Sequence, residues 1–479
     1  MKSILFLFCL LISLFSESQT LENQIQQVEN GFVFPAVFPV DQKMTQHNIL
    51  DQLKKYKIPG ASIAVVHEGK IHWSKGYGFA DRNQTQPITT QTLFQSASIG
   101  KIITSLVALR LVQEGKLKLD VNINQQLTRW KLPEHDLTKN QPVTLRHLLT
   151  HTAGLTDDYG FLGYKPGSKI PSLLQILNNE SPAKTKKPWT VKTTPGSVER
   201  YSGGGYLIVQ LLIEEASGLT FEDCVQQYVF DALQMNHSTY EYGPDKNLGK
   251  SIALGHKGNG KALKKKSYHI YPEKGAAGPW TTAEDLAKLI IEIQTHKILN
   301  PEMTQKMMTP FINHKGLGLN LKGIDQPYAF WHAGQNLGYT GVLYGSLNDG
   351  NGAVVLVNSD GGERFMQEFI SSVASAYNWK VMKSYEALKI SEEEITNLSG
   401  TYKASDSSTS LSILHKKGTL FVQPANSKKT VELYKIGTNH FTFKDAQDYY
   451  KIAFTITNGQ VNELIYTESI GQTIHLKKQ

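Results

Sequence analysis

Apolar residues are densest at the start of the chain, MKSILFLFCLLISLFSESQT, where Ile4 to Phe15 is almost uninterrupted. A short apolar run after Lys2, followed by the small polar Ser16-Glu17-Ser18, is the pattern of a secretory signal peptide over residues 1–18. The run is shorter than the roughly 20 apolar residues that span a bilayer. No later stretch is apolar enough to span, so no stable membrane span is expected after signal removal, and the location is read as secreted or periplasmic. A polar leader over 19–44 comes next. Ala61 to His67 and Lys70 to Gly76 are then β-rich runs joined at Glu68-Gly69, which reads as a hairpin. A second pair surrounds Asn348-Asp349-Gly350-Asn351-Gly352 within residues 341–362. Between the pairs the spacing is helical, over Lys101–Gln113, Thr144–Thr150, Gly205–Ala216 and Ala283–Thr295, and Glu363–Asn378 adds a helix after the second pair. Hairpins at both ends with helices between them predict an α+β domain over 45–385, its antiparallel sheet closed by its two ends and flanked by helices.

The pattern changes near residues 383–394. From Leu398 onward strands and turns dominate, with Lys417-Gly418 and Asn458-Gly459 as hairpin signals and alternation at Ile452, Phe454 and Ile456. A small all-β domain over 395–479 is expected.

Composition narrows the function classes only slightly. The formal charge is +8, and removing Lys2 and Glu17 with the leader leaves it unchanged. The densest basic cluster, KALKKKSYH (261–269), has no nucleic-acid motif around it, so no nucleic-acid partner is expected. Of the two cysteines, Cys9 lies in the leader, and Cys224 sits in an amphipathic helical pattern as a buried structural thiol.

Two serines compete as nucleophile. Ser202, in ERYSGGGY (199–206), lacks the flanking Gly of a nucleophile elbow and follows Tyr201 and Arg200. Ser98 begins S-I-G-K, which puts Lys101 one helical turn later on the same face. The all-round apolar run 102–112 marks a buried helix, so Ser98 stands at a helix N-terminus, where backbone N–H groups can stabilise an oxyanion. S-x-x-K alone is weak evidence. It recurs at Ser181–Lys184 in a Pro- and Lys-rich loop, and Ser98 also reads as a helix cap followed by an exposed lysine.

The company of Ser98 decides. Its full frame is F-x-S-x-S-x-x-K, followed in order by TLRHLLTHTAGL (144–155), TPGSVERYSGGGY (194–206), KGAAGPWTTAEDLAKL (274–289) and FWHAGQNLGYTG (330–341). Together these closely resemble the serine beta-lactamase and penicillin-binding-protein-like hydrolases, in the group of class C beta-lactamases, D,D-peptidases and esterases, over roughly residues 45–380. The resemblance implies a beta-lactamase/transpeptidase-like fold with an all-helical subdomain. It implies Ser98 as nucleophile, Lys101 as lysine base and Tyr201 as the tyrosine that shares protons with nucleophile and leaving group. His332-Ala333-Gly334 occupies the place of Lys-Thr-Gly on the strand lining the site, and the backbone N–H groups of Ser98 and Gln335 form the oxyanion hole. The β segment resembles the lipocalin-like domains appended to such hydrolases. Whether Lys101 or Tyr201 is the principal base stays open.

Two departures bear on substrate. Gly203 stands where the Tyr-x-Asn motif has its amide, and His332 replaces a fixed cation by a group charged only below a pKa near 6.5. HLLTH (147–151) has the i, i+4 histidines of a zinc helix but Leu148 instead of Glu and no third ligand, so no metal is expected, and no cofactor. The reading is an exported serine hydrolase cleaving an ester, peptide or amide of D-amino-acid type, acting on a small-molecule or peptide substrate. A true beta-lactamase and a non-catalytic binding protein that keeps the fold are the alternatives. Oligomeric state is not legible.

Overall fold

The computed structural model describes residues 20–34, 37–40, 42–81, 83–155, 161–185, 189–243, 251–263, 268–323, 327–379, 381–382, 384–405, 409–425, 427–443, 451–467 and 473–479. The expected signal peptide lies outside them, as do residues 264–267 of the basic cluster. The chain divides into two compact units, residues 53–366 and residues 1–52 with 367–479.

In the 53–366 unit the chain begins with strands β1 (Gly60–His67) and β2 (Lys70–Gly78). Glu68 and Gly69, both at positive φ (51° and 71°), make the tight turn between them, a twist that matches a two-residue hairpin. Helices α1 (Gly100–Gln113), α2 (Leu145–Leu149), α3 (Gly203–Ser217) and α4 (Ala283–Thr295) follow. The unit then returns to strands β3 (Asn320–Lys322), β4 (Ala329–Asn336), β5 (Tyr339–Ser346) and β6 (Gly352–Val357). The six strands form one sheet in the order β2-β1-β6-β5-β4-β3, all neighbours antiparallel. Its two halves meet at β1 and β6, where Ala61 lies opposite Val357 and Val66 opposite Gly352. Both central strands are buried nearly throughout, which is why they read as continuous apolar runs, whereas the edge strand β2 mixes buried and open positions.

Helix α1 is buried on every face from Gly100 to Leu109, as its lack of an apolar stripe predicts. It packs against α3 and the short helix Lys274–Ala277. Ile102, Ile103, Leu106, Val107 and Leu109 have at most 1% of their surface open. Each such side chain contributes about 1.5–3 kcal/mol over its exposed state, so the helix carrying the candidate Ser-Lys pair is firmly anchored. Helix α4 packs across the sheet. Its N-cap is Thr282, whose side chain accepts the Asp285 N–H.

In the other unit, residues 20–30 are helical. Within the polar leader Val28, Phe32 and Val33 are buried, and the Phe32 ring lies 6.3 Å from that of Phe369. The C-terminal part is a closed barrel of eight antiparallel strands, from Gly400–Ala404 to Thr473–Lys478, each paired with its neighbour in sequence. Tyr402, Leu420, Phe441, Ile452, Phe454 and Leu464 fill its own core. Ile456 departs from the expected alternation and is 38% exposed, because a bulge between Thr455 and Ile456 shifts the register. Among the described residues no helix is long and apolar enough to cross a membrane.

Candidate active site

Ser98 sits in a 3₁₀ turn, Ala97–Ile99, that runs directly into α1. Ala97 has φ 49°, a left-handed conformation that costs a residue with a Cβ about 1 kcal/mol or more and aims the next side chain out of the regular path. One turn on, the Lys101 Nζ donates to Ser98 Oγ at 2.9 Å and to the Ala276 carbonyl at 2.5 Å. Lys101 is 1% exposed. The Thr104 hydroxyl donates to the Gly275 carbonyl at 2.8 Å, so the KGAAGPW segment is clamped along the same face of α1.

Tyr201 comes from the residue pair preceding α3. Its hydroxyl donates to Ser98 Oγ at 2.8 Å. Ser98 Oγ thus lies within hydrogen-bond reach of an amine and a phenol hydroxyl, so that whichever of them is unprotonated can accept the Ser98 proton. Ser202 has a different role. It caps α3, its side chain accepting the Gly205 N–H at 2.8 Å, and it is buried. Among the two serines only Ser98 opens onto the cleft.

His151, which the sequence marks only as part of a structural segment, does more. Its Nδ1 accepts the Ser202 N–H at 3.1 Å, and its ring lies 4.3 Å from the Tyr201 ring at 32°. Burial first, then the nearby Lys315 and Lys101, hold its pKa well below the usual histidine value. A neutral ring with a fixed acceptor nitrogen braces the backbone and ring of Tyr201. The HLLTH spacing held that signal, but the zinc reading of it pointed elsewhere. Among the described residues no group of three or more His, Cys, Asp and Glu could hold a metal ion.

Strand β4 forms the other side. A Cβ on Gly334 would lie 2.2 Å from the Ser96 carbonyl oxygen and 3.0 Å from the Ser98 nitrogen, so only glycine lets the strand approach the Ser98 turn this closely. His332 is 4% exposed, and its Nδ1 donates to the Ala333 carbonyl at 2.7 Å. Burial and the Lys101 charge lower its pKa to about 3. The expected weak cation near pH 6.5 is therefore a neutral imidazole, because the fold removes its water and sets a lysine beside it. Gln335 is exposed, its Nε2 donating to the Asp360 carbonyl at 2.9 Å.

These residues surround a cleft of about 940 Å³, of the size that takes a small ligand. Ser98, Tyr201, His332, Gly334 and Gln335 line it, whereas Lys101 and Gly203 are buried and are not among the lining residues. The place that a side chain at 203 would take is filled by a ring: a Cβ there would lie 2.8 Å from Phe161. Phe161, Leu162 and Leu337 give the cleft an apolar side. Lys315, His314 and Asn320 line it too. Neither Phe161 nor Lys315 falls in a motif, and only their placement in space marks them.

Comparison with known proteins shows the family and the fold. A family model described as "Beta-lactamase" matches residues 42–376. Teichoic acid D-alanine hydrolase of Staphylococcus aureus (strain MRSA252) is 26% identical over 272 residues, 56% of this chain, and the match spans 63% of that relative's length. Among solved structures, the octameric penicillin-binding protein homologue from Pyrococcus abyssi superposes with a TM-score of 0.56 at 21% identity, covering 90% of this chain and 98% of that one. The D-amino acid amidase from Ochrobactrum anthropi SV3 superposes with 0.56 at 22% identity, covering 69% and 96%.

Proposed function

The chain belongs to the beta-lactamase family of serine hydrolases, and we propose that it cleaves an ester or amide of a D-amino acid through an acyl-enzyme on Ser98. The observation that carries this reading is Ser98 Oγ held at once by Lys101 Nζ (2.9 Å) and Tyr201 Oη (2.8 Å). Whichever of the two is unprotonated takes the hydroxyl proton as Oγ attacks the carbonyl carbon. The oxyanion is received by the backbone N–H groups of Ser98 and Gln335. As the tetrahedral intermediate collapses, the bond to the leaving alcohol or amine breaks and the same pair returns the proton to it. Water then adds to the acyl-Ser98 ester, loses its proton to the pair, and releases the acid with Ser98 restored.

The substrate class draws support from the relatives, one named for D-alanine on teichoic acid and one for D-amino acid amides. Two features argue against a strong beta-lactamase. At position 203 there is no amide for an acylamino group, and a Phe161 ring fills the space. His332, neutral above about pH 3, supplies no cation at the place where the family motif has its lysine. The N-terminal apolar run supports export.

A fluorophosphonate should add one label to the wild type and none to Ser98→Ala. Equal labelling of both would remove Ser98 as nucleophile. Turnover should favour D-alanyl esters and amides over nitrocefin, and nitrocefin turned over fastest would reverse the substrate assignment.

A further inference from the structure

Three charged side chains line the cleft without a part in the chemistry above, the acidic Asp360 and Glu363 and the basic Lys315. Lys315 stands on a tight turn, with the Phe311 N–H donating to its carbonyl (2.8 Å) and its own N–H to that of Ile312 (3.0 Å), just before strand β3. Its side chain is only 10% exposed, yet it lines the cleft together with Ser98 and Tyr201. Nζ donates to Asn320 Oδ1 and lies 3.1 Å from the Glu199 carboxylate. An ammonium has three N–H donors, so two partners leave one donor unassigned among the described residues. Among the described residues that line the cleft, Lys315 is the fixed cation. His332 and His314 beside it are held neutral by burial, and in both the Lys315 charge adds to that effect. Glu199 balances the charge from behind and does not itself line the cleft.

We propose that Lys315 anchors an anionic group on the substrate, a carboxylate or phosphate beside the scissile ester or amide, and so determines specificity. This deepens the hydrolase reading and rests on it. Burial of most of the side chain makes the ammonium poorly hydrated, and an anion entering the cleft completes its donors with a charge-assisted hydrogen bond. Asn320 and Glu199 fix its position beforehand, so little side-chain entropy is lost on binding. Such a residue is a natural requirement where the substrate is an ester on an anionic polymer or at the end of a peptide.

The test compares four D-alanine esters on the same protein: an N-acetyl phenyl ester, its 3-carboxyphenyl and 3-phosphophenyl counterparts, and an N-succinyl phenyl ester. Wild type should show a kcat/KM for at least one anionic ester about tenfold to a hundredfold above the neutral one. Which ester it is tells carboxylate from phosphate and leaving side from acyl side. Lys315→Met should bring that ratio close to one. Because this variant strands Glu199, Lys315→Met/Glu199→Gln is measured alongside, and should collapse the ratio equally. The ratio compares substrates on one protein, so losses from misfolding cancel. A wild type that does not prefer any anionic ester, or a preference that survives in the double variant, overturns the proposal. Turnover of the neutral ester, abolished by Ser98→Ala, tests the hydrolase reading separately. If nothing is turned over, the same ratios are read as Kd on the Ser98→Ala protein with and without Lys315→Met.

Discussion

His332 titrates near pH 3 in the folded protein, held there by burial and by Lys101. In the unfolded chain its imidazole titrates near 6.5. Between those values the unfolded state binds a proton that the folded state refuses, so stability is complete above about pH 6.5 and falls as the pH drops. The loss is about 1.4 kcal/mol per pH unit from this residue. His332→Asn keeps a donor for the Ala333 carbonyl and removes the titration. Its deficit in melting temperature relative to wild type should therefore shrink or reverse between pH 7 and pH 5; a deficit constant with pH would mean that His332 protonates freely in the fold. The sequence placed this residue in the cleft but misjudged its charge, because the pKa depends on water excluded and on a lysine more than two hundred positions away. Lys315 and Phe161 were missed for a related reason: neither follows a local pattern, and each acquires meaning only from what folding sets beside it.

Elements were far more legible than those contacts. Helix α1 is expected from Lys101 to Gln113 and begins at Gly100; the two expected hairpin turns fall where glycine and asparagine mark them. Period and turn chemistry are local, so they survive in the sequence. The junction between α1 and β4 is not local, and it depends on Gly334. Gly334→Ala puts a methyl 2.2 Å from the Ser96 carbonyl oxygen, a backbone atom with little room to yield. The strand must move away from the Ser98 turn by a fraction of an ångström to about an ångström, and kcat/KM should fall about a hundredfold. Fluorophosphonate labelling should slow in parallel while the far-ultraviolet circular dichroism stays the same. Unaltered kinetics would show that this close approach has no role in catalysis.

At the level of the whole molecule, the 53–366 unit and the C-terminal barrel each bury a hydrophobic core made wholly of their own residues. Separate cores favour separate unfolding, so scanning calorimetry should resolve two transitions rather than one. A covalent phosphonate on Ser98 stabilises only the unit that holds it, and should raise one transition and leave the other in place. A single transition that shifts as a whole would mean that the two cores melt together. The pairing of β1 with β6 has a further effect, on the making of the protein. Ala61 waits for Val357, so a growing chain cannot complete its central sheet until almost the whole 53–366 unit has left the ribosome. Long-range pairing of this kind is slow to form. Ser98, Lys101 and Tyr201 are all translated well before β4 has a sheet to be held in, so a nascent or prematurely terminated chain carries Ser98 without the framework that surrounds it in the folded unit. The topology thus holds the site back from assembly until the 53–366 unit is almost fully synthesised.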